Sequence, residues 1–181
     1  VSPANADLVT NGDFESTPFD SGWTNSGGAT MGTGLFGSAQ SAELDAVGRI
    51  SQQFSSTART FSVDFEFSPT SATGSRSLNM VLFDSPATGT SQAGSSLNLR
   101  SDNNGNLQLF TGGGPGWNTV SGGAAAFATG SEYRVRLEAN DFGSGGTNTF
   151  DLFWSDAGST DLTNSATGLS NFQNTPSSAD G

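Results

Sequence analysis

The stretch Ser131-Glu132-Tyr133-Arg134-Val135-Arg136-Leu137-Glu138-Ala139-Asn140-Asp141-Phe142-Gly143-Ser144-Gly145-Gly146-Thr147-Asn148-Thr149-Phe150-Asp151-Leu152-Phe153-Trp154-Ser155-Asp156 decides the fold class. Tyr133, Val135, Leu137 and Ala139 alternate with Arg134, Arg136, Glu138 and Asn140. The alternation returns with Phe150, Leu152 and Trp154 against Asp151, Phe153 and Ser155. A period of two is the mark of a strand, because successive side chains leave a pleated chain on opposite faces. The break from Asp141 to Gly146 is made of turn formers, so the two runs read as an antiparallel hairpin with a long loop.

Working outward, Thr60 to Ser68 repeats the pattern, with Phe61, Val63, Phe65 and Phe67 opposed to Ser62, Asp64, Glu66 and Ser68. Ser77 to Asp84 is apolar on both faces near its end. Leu97 and Leu99, the turn Asp102-Asn103-Asn104-Gly105, then Leu107 and Leu109 predict a second hairpin. The run Gly112-Gly113-Gly114-Pro115-Gly116 is unsuited to helix or central strand, and Trp117 to Val120 follows it as a short strand. Gly122 to Gly130 reads as loop despite its alanines. Toward the N-terminus, Leu8-Val9-Thr10 reads as a strand. Ser16 to Gly34 reads as loop with Trp23 as a core plug. Ser38 to Asp45 and Arg49 to Phe54 read as a hairpin across Ala46-Val47-Gly48. After Asp161 the chain is rich in Asn, Ser and Thr, with Leu169 and Phe172 as anchors and no obvious closing strand. Roughly ten to a dozen short strands between turn signals predict an all-β chain, a two-sheet antiparallel β-sandwich of jelly-roll type. Residues 1–181 are expected to form a single domain, with a non-core tail from about residue 161.

Composition excludes several function classes. Of 181 residues, 33% are hydrophobic, but the 14 phenylalanines fall in alternating runs, which favours a folded core over disorder. There are 17 acids against 6 basic residues, all arginine, and the net charge is -11. Such a chain repels phosphate backbones and anionic lipid surfaces, and no apolar run approaches membrane-spanning length. Neither nucleic acid nor membrane insertion is therefore expected. Without His or Cys there is no Ser-His-Asp triad, imidazole ligand, reactive thiol or disulfide. The opening Val1-Ser2-Pro3-Ala4-Asn5-Ala6 suits a chain whose signal has been removed or a piece of a longer one, and a secreted, extracellular location is expected.

Two stretches carry a resemblance. Leu8-Val9-Thr10-Asn11-Gly12-Asp13-Phe14-Glu15, with Trp23 shortly after, resembles the opening of galactose-binding-like carbohydrate-binding modules. The order from Phe61 to Trp154 is similar to concanavalin-like and laminin-G-like jelly rolls: a Phe-rich strand, a Leu-rich hairpin, a Gly-rich loop into Trp117, then the Tyr133 ribbon. The resemblance implies a curved two-sheet sandwich, often with calcium and often binding glycans. It also implies a structural calcium at Asp13 or Glu15, with Asp156 as a late partner; the alternative is that Asn11-Gly12-Asp13 is only a turn. Asp102-Asn103-Asn104-Gly105-Asn106 has the look of a calcium-loop start but lacks the distal Glu, and is read as a hairpin turn.

The candidate binding residues fall in two groups. Asp64, Glu66, Arg134 and Arg136 lie opposite the aromatic faces. They either pair across strands or offer planar guanidinium and carboxylate groups to sugar hydroxyls. Trp117 after its glycine loop is the first candidate for stacking on a sugar ring, with core packing under that loop as an equal alternative, and Phe142 in its turn is the second. Trp154 and Tyr133 keep register with core residues. Catalysis is not expected. Asp64 and Glu66, or Glu43 and Asp45, have the spacing of a carboxylate pair, about 7 Å along a strand. The dense acid motif of concanavalin-like glycosidases is nevertheless absent, and the His of jelly-roll lyases is missing. The expected function is a secreted, non-catalytic glycan-binding or adhesive module whose partner is a polysaccharide or cell-surface glycan. The alternative is a structural subunit of an extracellular filament, sheath or surface layer, partnered with further copies of itself. The missing closing strand after Asp161 leaves room for a neighbour's strand.

Overall fold

The computed structural model describes residues 12–44, 49–52, 59–70, 79–82, 97–102, 104–111, 116–120, 127–142 and 146–170. Every regular element among them is a strand: β1 (Thr24–Ser26), β2 (Thr30–Thr33), β3 (Gln40–Glu43), β4 (Arg49–Ser51), β5 (Phe61–Phe67), β6 (Asn79–Leu82), β7 (Leu97–Ser101), β8 (Leu107–Thr111), β9 (Gly116–Thr119), β10 (Tyr133–Asn140), β11 (Thr149–Trp154) and β12 (Asn164–Leu169). All described pairings are antiparallel. The chain divides into two compact units, Val1–Ser56 and Thr57–Gly181. The expected strand Leu8 to Thr10, the loop Ser85 to Ser95, the run Gly112 to Pro115 and Phe172 lie outside the described residues.

In the first unit β1 pairs with β4 and β2 with β3. Among the described residues, β3 and β4 pair with β2 and β1 and not with each other as the expected hairpin of Ser38–Asp45 and Arg49–Phe54 requires, and strands occupy part of the Ser16 to Gly34 stretch read as loop. These segments are short, polar and largely exposed, so no alternation marks them. Side chains set their turns instead. The Ser38 hydroxyl donates to the Leu35 carbonyl at 2.8 Å and accepts from its N–H at 3.0 Å, which brings β3 back beside β2. Asn25 likewise donates to the Ala29 carbonyl at 2.9 Å and accepts from its N–H at 3.1 Å. Such side-chain turns replace strand hydrogen bonds locally. Trp23 is half-buried with its ring 5.4 Å from that of Phe14.

The second unit holds two four-stranded sheets, ordered β12-β11-β10-β5 and β6-β7-β8-β9. The register follows the alternation. Val135, Leu137 and Ala139 stand opposite Trp154, Leu152 and Phe150 on one side, and opposite Phe65, Val63 and Phe61 on the other. One core cluster joins Leu97, Leu99, Leu107 and Leu109 of one sheet to the inward row of β10 and β11 from the other. That is consistent with a β-sandwich, whose inner faces interdigitate. Each wholly buried Leu or Val there contributes about 1.5–3 kcal/mol. The chain runs from β5 through the meander β6 to β9, then returns to lay β10 against β5. Within each of these two sheets the described neighbours are consecutive strands except β10 and β5, which are joined through the other sheet.

The tail also departs from expectation. β12 is the fourth strand of its sheet, and Ala166 and Leu169 join the core. Leu169 stands opposite Phe150 and Ala166 opposite Leu152, so β12 carries an extra residue, a bulge that breaks its alternation. The Gly168 N–H at this point donates to Asp151 Oδ1 at 2.7 Å. A bulged strand of Asn, Ser, Ala, Thr and Gly carries almost no periodic signal.

Candidate functional site

The two sheets turn chemically different outer faces to their surroundings. Beside β5, the alternation of β10 points Arg134 and Arg136 away from the core toward Asp64. Arg134 donates to both Asp64 oxygens, from Nε at 2.9 Å and Nη2 at 2.8 Å. Arg136 donates to Oδ2 from Nε at 2.8 Å and Nη2 at 2.7 Å. Burial would raise the Asp64 carboxyl, but hydrogen bonds and charge from both arginines outweigh it and hold its pKa below the ordinary value. The same contact raises the pKa of Arg134. Glu66 stands opposite Arg134 in register, and its pKa moves up. Burial is the main cause, and the nearby charges of Asp64 and Glu132 add to it against the pull of Arg134. Glu138 lies 3.8 Å from Arg136, and Asp151 faces Glu138 across the strands. Of the two readings of this face, the structure supplies the cross-strand pairing.

The other outer face is aromatic and nearly uncharged. The ionisable side chain of β6 to β9 is Arg100 alone. Leu107 and Leu109 point into the core, so Gln108 and Phe110 point out. Trp117 stands opposite Phe110 and therefore shares its side; their rings meet edge to face at 5.2 Å. The Arg100 guanidinium lies 3.7 Å over the Trp117 ring, a cation–π contact, and its Nε donates to Gln108 Oε1 at 2.9 Å. Arg100, Gln108, Phe110 and Trp117 are all half-buried, packed side by side as a platform. The sequence marks Trp117 by the glycine loop before it; the available signal for the outward Phe110 is a Phe out of phase with flanking leucines.

Phe142 is a correction: it is 5% exposed and packs edge to face on Phe61 at 5.4 Å inside the core, so it presents no ring to a ligand. Its turn is clamped from a distance. The Phe142 N–H donates to the Arg59 carbonyl at 2.7 Å, and Arg59 Nε meets Asp141 Oδ1 at 2.8 Å. Trp154, at 2%, and Tyr133 are core residues as expected, with the Tyr133 hydroxyl accepting from the Ala128 N–H at 2.8 Å.

The metal candidates each serve local structure. Asp13 Oδ1 accepts from the Glu15 N–H at 3.3 Å, and Glu15 Oε1 accepts from the N–H groups of Ala39 at 2.8 Å and Gln40 at 3.0 Å. Asp156 belongs to the other unit, where it accepts from Thr163 at 3.3 Å and Asn164 at 3.1 Å. Among the described residues no group of three or more acids comes together as a metal site. Asp102 is a turn organiser: Oδ1 accepts from the N–H groups of Asn104 and Asn106, each at 2.8 Å, and Oδ2 from the Asn106 amide at 3.0 Å. Burial would raise its pKa, but these donors and the charge of Arg100 bring it below the ordinary value.

Among the described residues no helix is long and apolar enough to cross a membrane. No family model, curated protein or solved structure matches the chain.

Proposed function

We propose that the chain is a secreted, non-catalytic glycan-binding module whose ligand lies on the outer face of β7 to β9, around Trp117. The observation that carries the reading is the placement of that indole on a non-core face, held between Phe110 and Arg100 with the Gln108 amide beside it. Sugar rings have one apolar C–H face and a rim of hydroxyls. A fixed aromatic surface, with the Gln108 amide at its margin and the Arg100 guanidinium packed on the indole, matches both. The absence of catalysis is part of the same proposal. Asp64, one of the spaced carboxylates, is held ionised by two guanidinium groups, which makes it a poor acid and a weak base. Binding of a soluble polysaccharide that is lost in Trp117→Ala, with no reducing ends released, is the expected result; released reducing ends contradict it.

A self-assembling extracellular subunit is the second reading. It is supported by β5, seven residues without proline, standing last in the described strand order of its sheet. Sizing at dilute and concentrated protein separates the two, since a strict monomer contradicts assembly. A structural calcium at Asp13 or Glu15 is a further proposal, tested by thermal unfolding in calcium against chelator, where an unchanged midpoint contradicts it.

A further inference from the structure

We infer that the ligand of the Trp117 face is a neutral glycan, and that uronate-bearing or sulfated polymers are excluded from it. The inference rests on the glycan-binding reading and narrows it. Charge is segregated between the two sheets of the second unit. The outer side of the β5 sheet carries Asp64, Glu66, Arg134, Arg136, Glu138 and Asp151, whereas β6 to β9 carry Arg100 alone.

Arg100 would be the receptor for an anionic sugar, yet its guanidinium is already engaged: it lies on the indole, and its Nε is bonded to Gln108. Asp102 is kept ionised by the turn donors around it, so it offsets the arginine at any pH above the ordinary carboxylate range. A carboxylate or sulfate approaching this face would have to displace Gln108 from Arg100 Nε or lift the guanidinium off the indole. It would do so against the field of a chain of net charge -11. A hydroxyl-rich neutral ring meets no such opposition. It can lie on the part of the aromatic pair that the Arg100 guanidinium does not cover and exchange hydrogen bonds with Gln108 and Thr119, which stand opposite each other on β8 and β9.

The test is native affinity electrophoresis of the purified chain in gels holding a neutral polymer (a β-1,3-glucan, a β-1,4-glucan, a galactomannan or starch) or an anionic one (polygalacturonate or alginate), at about 20 mM and about 500 mM salt, a range over which surface charge effects are largely screened. The expected result is retardation by at least one neutral polymer to the same extent at both salt concentrations, none by the anionic ones, and at least a tenfold loss in a folded Trp117→Ala. Retardation by an anionic polymer at low salt overturns the inference while leaving glycan binding standing. Neutral binding that survives Trp117→Ala overturns the assignment to this face. Failure of every polymer to retard the protein removes the glycan-binding reading and this inference with it.

Discussion

Asp64 shows how a single residue decides between stability and recognition. Both of its oxygens are taken by Arg134 and Arg136, so its chemistry is spent within the sheet. Its pKa lies below the ordinary 3.8. A depressed carboxyl contributes stability that is fully present above the unfolded value and is lost as pH falls through the folded one. Asp64→Asn should therefore cost stability at pH 7, and the gap to the parent chain should close as pH drops below about 3.8 in denaturant titrations. The groups are partly exposed, so a double-mutant cycle of Asp64 with Arg136 should give a coupling of only about 0.5–1 kcal/mol. Phe142→Ala, by contrast, opens a buried site and should cost about 3 kcal/mol by urea unfolding while leaving any ligand affinity unchanged. The inward rows of β10 and β11 and the polar pairing opposite them were readable from alternation. The burial of Phe142 was not, because it depends on Arg59, 83 residues away in the chain, which no local pattern can announce.

At the scale of the element, turn chemistry and bulges explain most of what the pattern hid. The Asp102 to Asn106 turn was legible because Asn-Gly between leucine strands has one common solution, and Gly105 takes it up with φ of 81°. Gly105→Ala should cost about 1 kcal/mol there, since a Cβ strains that backbone region. Asp102→Ala should cost about 1–2 kcal/mol by stranding the turn's N–H donors, and any effect of calcium on melting should be the same in both variants as in the parent chain. β12 was illegible for a different reason. Its one deeply buried side chain is Ala166, 8% exposed, and the bulge shifts Leu169 out of phase with it. Ala166→Asp places a carboxylate opposite Leu152 and should destabilise the second unit by about 2–3 kcal/mol in urea unfolding, whereas a dispensable tail would tolerate it. In the first unit β3 and β4 are legible as strands, but β1 and β2 and the pairing of all four are not, because Asn25 and Ser38, rather than alternating apolar residues, set their turns.

Across the whole molecule, the core cluster lies in the second unit, and both outer faces discussed above belong to that unit. Residues 57–181, expressed alone, should therefore unfold cooperatively with near-UV signals like those of the full chain. A fragment without a cooperative transition would contradict an independent core. The all-β class followed from period-two runs, but the division into two units did not, because the residues around it carry neither a composition shift nor a charge run. The segregation of charge between the two sheets was visible only in part. Sequence gave the polarity of each strand, while partnership of strands decided which polar rows form one face.

Recognition is proposed to lie on the Trp117 face and not on the arginine face. Nitrogen-15 correlation spectra of the chain, titrated with an oligosaccharide of whichever neutral polymer retards it, resolve the claim in one measurement. The account predicts saturable shifts at the Trp117 indole N–H, the Gln108 side-chain amide and the Arg100 Nε–H, with the Arg134 and Arg136 Nε–H signals unmoved. Shifts confined to Arg134 and Arg136, with the Trp117 indole unmoved at saturation, would contradict it.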